Sequence, residues 1–170
     1  MNGWALSYEG QADEGIAVMR SGIAAAESTG MLVPTWGLLP LAEAYLRVGR
    51  LSESAELVDR MLDRMQSTGH RQDEAEIYRL KGELSLVLGK TDKVAEKCFR
   101  TAIEVARSQS GRLYELRATV SLSRLLDSQG KRDEAHSILA EIYNWFTEGF
   151  DTADLKDAKA LLDELQGTRP

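Results

Sequence analysis

The chain has one cysteine, three prolines, few aromatic residues (6%) and no excess of positive charge, and each scarcity excludes something. Cys98 has no second cysteine to pair with, so no internal disulfide forms. The residues after Met1 lack the basic-then-apolar run of a secretory signal, and the expected location is the cytoplasm. A bilayer span needs roughly 18 consecutive apolar residues, and no stretch approaches that, so membrane insertion is not expected. Lys and Arg number 21 against 27 Asp and Glu. The resulting net charge of −6 gives no general attraction to phosphate backbones, so nucleic acid is not an expected partner. There is no GxxxxGK[ST] phosphate loop, and His70, Cys98 and His136 stand too far apart for a zinc-ligand spacing; no cofactor or metal is expected. Neither a nucleophile–base set nor a carboxylate pair of catalytic type is evident, so no enzyme activity is expected.

What is present is helical. In 170 residues, 43% hydrophobic and 28% charged, the segments between glycines are rich in Ala, Leu, Glu and Arg and poor in runs of β-branched residues. Gly10, Gly49, Gly89 and Gly130 recur at intervals of 39, 40 and 41 residues, and a second set, Gly30, Gly69, Gly111 and Gly149, is expected to close the second helices. Recurrence at such a period marks a solenoid of helical hairpins. The stretch from Tyr78 to Gly111 states the unit most clearly. Small Gly82 stands seven residues before the turn at Gly89-Lys90, and Ala95, Phe99 and Ala102 then share one face of the following helix. This arrangement resembles a tetratricopeptide repeat, which places a small residue in its first helix, a glycine in its turn, and alanine, bulky residue and alanine in its second.

The expectation is an all-α, right-handed α-solenoid in a single repeat domain over residues 1–170. Its hairpins fall at about 1–30, 31–69, 70–111 and 112–149, with a capping helix over about 151–166. Met1 to Glu9 is too short for a full first helix, so the chain is expected to begin inside a repeat and to self-associate as a homodimer through that end, near Trp4 and Leu6. Asp13 is expected to cap the next helix, with Gly15, Met19 and Gly22 on its packing face. Pro34 suits a first turn, whereas Pro40 predicts a kink or a helix starting only near Leu38. Ser52 is the expected cap of a helix presenting Ser54, Val58, Met61 and Met65 inward. The third hairpin is expected to begin near Arg71 or Asp73. The fourth carries Leu122, Ser123 and Leu126 before its turn and Ala135, Leu139 and Ile142 after it. In the last helix, capped by Asp151 or Thr152, Leu155, Ala158, Leu161, Leu162 and Leu165 form one stripe.

Three stretches go beyond a generic repeat: GWALSYEGQADEGI from Gly3 to Ile16, EAEIYRLKGELSL from Glu74 to Leu86, and YNWFTEGFDTADLKDAKALLDEL from Tyr143 to Leu165. Together they resemble the C-terminal repeat region of large bacterial regulators that join a nucleotide cyclase or DNA-binding domain to an ATPase module and then to tetratricopeptide-like helices. The resemblance implies a non-catalytic arm that serves protein interaction or sensing in signalling or transcriptional regulation. The implied partner is a protein or peptide, including the ATPase module itself; the alternative is a small-ligand receptor arm controlling an attached ATPase or cyclase.

In tetratricopeptide-like arms the face of each first helix left uncovered by hairpin packing lines a concave surface. Counting back from the turn glycines puts Trp4 and Ser7 there in the first hairpin, then Trp36, Leu39, Glu43 and Leu46. Glu76, Arg79, Glu83 and Leu86 follow, and then Arg117, Val120, Arg124 and Asp127. Arg79, Arg117 and Arg124 suit bidentate capture of a carboxylate or phosphate, or else internal pairing with Glu76, Glu83 and their neighbours. Glu43 and Glu83 stand where chaperone-binding members of the tetratricopeptide family use asparagine, which argues against a chaperone partner.

Overall fold

The computed structural model describes residues 11–167 and, among them, eight α-helices and no strand. They are α1 (Ala12–Ser28), α2 (Thr35–Arg47), α3 (Leu51–Thr68), α4 (Glu74–Val87), α5 (Asp92–Ser108), α6 (Arg112–Ser128), α7 (Arg132–Tyr143) and α8 (Ala153–Gln166). Expectations placed on Met1 to Gly10, the short first helix, Trp4, Leu6 and Ser7 among them, lie outside the described residues. Among the described residues no helix is long and apolar enough to cross a membrane. The chain divides into two compact units, Met1–Asp73 and Glu74–Pro170.

The glycine ladder works as helix closure. At the α2–α3 turn Gly49 N–H donates to the Leu46 carbonyl (3.1 Å) and Arg50 N–H to that of Tyr45 (2.8 Å). The same pair of bonds recurs at Gly89-Lys90 and Gly130-Lys131. This is the Schellman closure, which needs a left-handed residue just past the helix; Gly49, Gly89 and Gly130 supply it at φ 78°, 69° and 77°. The α5–α6 junction departs from the expectation. There Ser110 takes the left-handed position at φ 57°, and Gly111, at φ −84°, is the residue preceding α6.

Helix starts depart more. Neither Asp13 nor Ser52 caps its helix: Gln11 precedes α1 and Arg50 precedes α3, with no side-chain capping bond in either case. The third hairpin's first helix starts at Glu74, just after the two positions expected. Pro34 lies just outside α2, and the helix starts at Thr35 and runs through Pro40. Pro40 is tolerated because it sits only six positions in, where the carbonyl that loses its donor belongs to Trp36 at the exposed first turn. Thr152 does stand just before α8, but its hydroxyl donates back to the Gly149 carbonyl (2.7 Å) and makes no capping bond to the helix.

In the first unit α1 packs on α2, and α2 on α3. Ser54, Val58, Met61 and Met65 of α3 are all buried, and Ser54 donates its hydroxyl across the hairpin to the Ala42 carbonyl (2.9 Å). On α1 Gly15 is buried, but Gly22 is exposed with open space where a Cβ would stand, so it is no packing residue. In the second unit α4 packs on α5 and α6, and α6 also on α5, α7 and α8. Ala95, Phe99 and Ala102 are fully buried, and the Phe99 ring lies directly on Gly82. The α8 stripe, Leu155, Ala158, Leu161, Leu162 and Leu165, is buried in the same core. Each of its leucines contributes about 2 kcal/mol, which offsets the entropy of ordering the helix.

Candidate interaction surface

In the first unit the predicted face is a single stripe of α2. Trp36, Leu39, Glu43 and Leu46 follow one another at helical spacings of three and four; Trp36 is 69% exposed and the other three are half-buried. Trp36 has apolar company in the preceding connection, where Met31 and Leu32 are also exposed. Residues of α1, α2 and α3 and the α2–α3 turn also line a hollow of about 390 Å³ in which two charge pairs form. Arg60 bonds Glu27, and Arg50 bonds Glu53 (2.6 Å) while its guanidinium lies 4.5 Å from the centre of the Tyr45 ring. That hydrogen bond, reinforced by charge, raises Arg50 above its usual range and holds the Glu53 carboxyl below its own.

In the second unit the predicted residues of α4 and α6 meet in a charged network. Arg79 and Glu76 are both buried, with Arg79 Nη2 3.0 Å from Glu76 Oε2 and Arg79 Nη1 2.7 Å from Glu83 Oε1. Ser121 of α6 donates to the same Glu83 oxygen (2.8 Å). Arg117 grips Asp154 of α8 through two bonds of 2.8 and 2.9 Å and stands 3.6 Å from Glu76. Burial works against the charge of Arg117, but the Asp154 hydrogen bond and the nearby Glu76 outweigh it and raise its pKa. Arg124 pairs at the surface with Asp157 (2.6 Å). Val120 is buried and Leu86 half-buried, so this end of the face is polar.

Of the two chemistries open to these arginines, the geometry realises internal pairing. The sequence reading missed the partners on α8, Asp154 and Asp157, and the bridging Ser121. Their signal was the hairpin period itself: Ser121 bonds a residue 38 positions away, and the two aspartates stand 37 and 33 positions from their arginines.

No family model and no curated protein sequence matches this chain. Solved structures do match: two crystal structures from Podosopora anserina, one a variant of the other, of a protein described as a kinesin light chain with nearly identical TPR-like repeats. They superimpose with TM-scores of 0.67 and 0.66 at 16% identity, over 96% of this chain and 81% of each of those. The fold is that of TPR-like repeats. At this identity the likeness carries the fold alone. In TPR-like terms α2, α4 and α6 are first helices and α3, α5 and α7 second helices, which is how the glycine turns pair them.

Among the described residues no group of three His, Cys, Asp or Glu is placed to hold a metal ion. Cys98 is buried on α5, and burial pushes its thiol up against the smaller opposing pull of Lys81, Lys90 and Lys97.

Proposed function

We propose that the chain is a non-catalytic protein-interaction or sensory module, the cytoplasmic helical-repeat arm of a bacterial signalling or transcriptional regulator, and that its partner is a protein such as the regulator's ATPase module. The TPR-like fold supports an interaction role, and the resemblance of Glu74–Leu86 and Tyr143–Leu165 to such arms supports the setting. The observation that carries the reading is the exposed Trp36 with exposed Leu32 lining the same hollow and exposed Met31 next to Leu32 in the chain. Large aromatic side chains in water are the usual anchors of protein interfaces. Trp36 and Leu39 supply the anchor on α2. Glu76, Arg79, Glu83, Arg117 and Arg124 form a face of the second unit that is already neutralised by internal pairing and so adds selectivity more than affinity; Val120 and Asp127 belong to the same face.

The test is calorimetric titration of the chain into the ATPase module of a regulator of this class from the same genome. Trp36→Ser is expected to weaken binding by about 30-fold or more, the cost of losing a hot-spot tryptophan. Equal affinity in the variant, or no binding by the unmodified chain, refutes the reading.

A further inference from the structure

At the start of α2 the first unit holds a second hollow, of about 340 Å³, lined among others by Leu32, Trp36, Arg64, Thr68, His70 and Asp73. Its size is near the low end of small-ligand pockets, which run from about 300 to 1,000 Å³. One arginine of its walls is held differently from Arg50 and Arg60 of the α1–α2–α3 hollow. There the arginines Arg50 and Arg60 meet glutamates, whereas here Arg64 Nη1 is buried without a hydrogen-bond partner and, among the described residues, no carboxylate ion-pairs with Arg64. A buried guanidinium nitrogen with nothing to donate to is costly; Nη1 itself is closed to solvent, so it is a turn of the Arg64 side chain toward the cleft, onto an acceptor held there, that removes the cost.

The polar side chains of the lining bond to groups other than the Arg64 guanidinium. Asp73 is buried and receives the Thr35 hydroxyl, and Thr68 spends its own hydroxyl on the Arg64 carbonyl (2.8 Å) while accepting from His70 N–H (3.3 Å). Asp73 also puts one negative charge in the lining, which disfavours a doubly charged ligand such as a phosphate. Opposite the polar side stand the exposed indole of Trp36 and the exposed Leu32, a surface for an apolar body.

We propose that this cleft binds a small apolar monocarboxylate, its carboxylate on the Arg64 guanidinium and its aromatic or aliphatic body against Trp36 and Leu32. The proposal shares Trp36 and Leu32 with the interaction reading but requires no protein partner, and it is tested without one.

The experiment titrates ¹⁵N-labelled chain with phenylacetate and, in parallel, with the neutral isostere phenylacetamide and the cation phenethylamine. Phenylacetate is expected to shift the Trp36 indole N–H and Arg64 Nε–H signals saturably. The amide and the amine are expected to bind about tenfold more weakly or worse, the difference between a charge-assisted and a neutral hydrogen bond. Arg64→Gln is expected to abolish the preference for the acid, and Trp36→Leu to weaken all three. The proposal is overturned if acid and amide bind alike, if saturable shifts leave Trp36 and Arg64 unmoved, if no probe binds at millimolar concentration, or if Arg64→Gln retains the acid preference. Should Arg64→Gln fail to fold, the acid–amide comparison on the unaltered chain decides by itself.

Discussion

Two glycines in helix interiors give opposite predictions for the same substitution. Gly→Ala inside a helix gains about 1 kcal/mol of propensity wherever the new methyl has room. Gly22 of α1 has nothing within 4 Å of an added Cβ, so Gly22→Ala should stabilise the chain by about 0.5–1 kcal/mol. Gly82 of α4 is different: a Cβ there would stand 2.7 Å from Phe99 Cδ1 and 3.0 Å from Cζ, where ordinary carbon contact begins near 3.4 Å. What it meets is a flat ring, fully buried, without the freedom of a flexible chain end. The ring or the α4 backbone must retreat by about 0.7 Å at Cδ1 alone, and overpacking of this kind costs about 1–3 kcal/mol. Net of propensity, Gly82→Ala should lose up to about 2 kcal/mol, placing it about 1–3 kcal/mol below Gly22→Ala. In thermal unfolding followed by circular dichroism, each kcal/mol is worth about 2–4 °C for a chain of this size. Gly82→Ala melting at or above Gly22→Ala would refute the reasoning. Phe99→Leu in the Gly82→Ala background should make the second glycine substitution less costly than it is alone, because the two positions share one space.

The buried pair Glu76–Arg79 should show strong coupling. Arg79→Met leaves the Glu76 carboxylate with Arg117, at 3.6 Å, as its ion-pair partner among the described residues and should cost about 3 kcal/mol in urea unfolding, whereas Glu76→Leu with Arg79→Met should cost far less; additive losses would contradict this. Arg132 donates from Nε to the Leu165 carbonyl (2.8 Å) and from Nη2 to those of Glu164 and Gly167, closing the end of α8. Arg132→Ala should therefore lose about 1 kcal/mol, seen as faster amide exchange in the last turn of α8 with α4 unaffected. Cys98, buried and with its thiol pushed up, should react with a disulfide reagent at pH 8 at least about tenfold more slowly in the folded chain than in urea, and equal rates would place it at the surface.

The helices were legible because two independent signals agree in the sequence. The glycine ladder marks where α1, α2, α3, α4 and α6 stop, though not α5, which Ser110 closes, or α7, which ends at Tyr143 ahead of Gly149, and the apolar stripes mark the face each must bury. Gly82 with Phe99, Ala95 and Ala102 is the plainest case, since only a residue without a side chain lets that ring approach the α4 backbone. Helix starts were less legible. Asp13 and Ser52 are good capping residues by type, but capping is a matter of one residue's position relative to the first helical turn. The helices begin a residue earlier, at Ala12 and Leu51, which puts both side chains inside the first turn. At the α5–α6 junction Ser110 and Gly111 compete for one left-handed position. The chain places the serine there because Gly111 N–H is needed for the 2.8 Å bond back to the Ala106 carbonyl.

The arginines of the second unit were read correctly by type and incompletely by partner, and the reason is geometric. Reasoning along one helix finds pairs three and four residues apart, and it finds Arg79 with Glu76 and Glu83. It cannot see a neighbour one hairpin later. In a solenoid the residue beside a first-helix side chain also lies about one period further on, because each first helix packs against the next. Moving on from Arg117 and Arg124 by 37 and 33 positions lands on Asp154 and Asp157, and the same step from Arg100 by 34 lands on Glu134. A charge stripe in a repeat protein must therefore be tested against its own sequence shifted by one repeat before any of it is assigned to a ligand. By that test Arg117 and Arg124 are spoken for. Arg64 finds no carboxylate partner among the described residues, and its Nη1 is buried without a hydrogen bond, so it, and not the stripe, is where a carboxylate is sought.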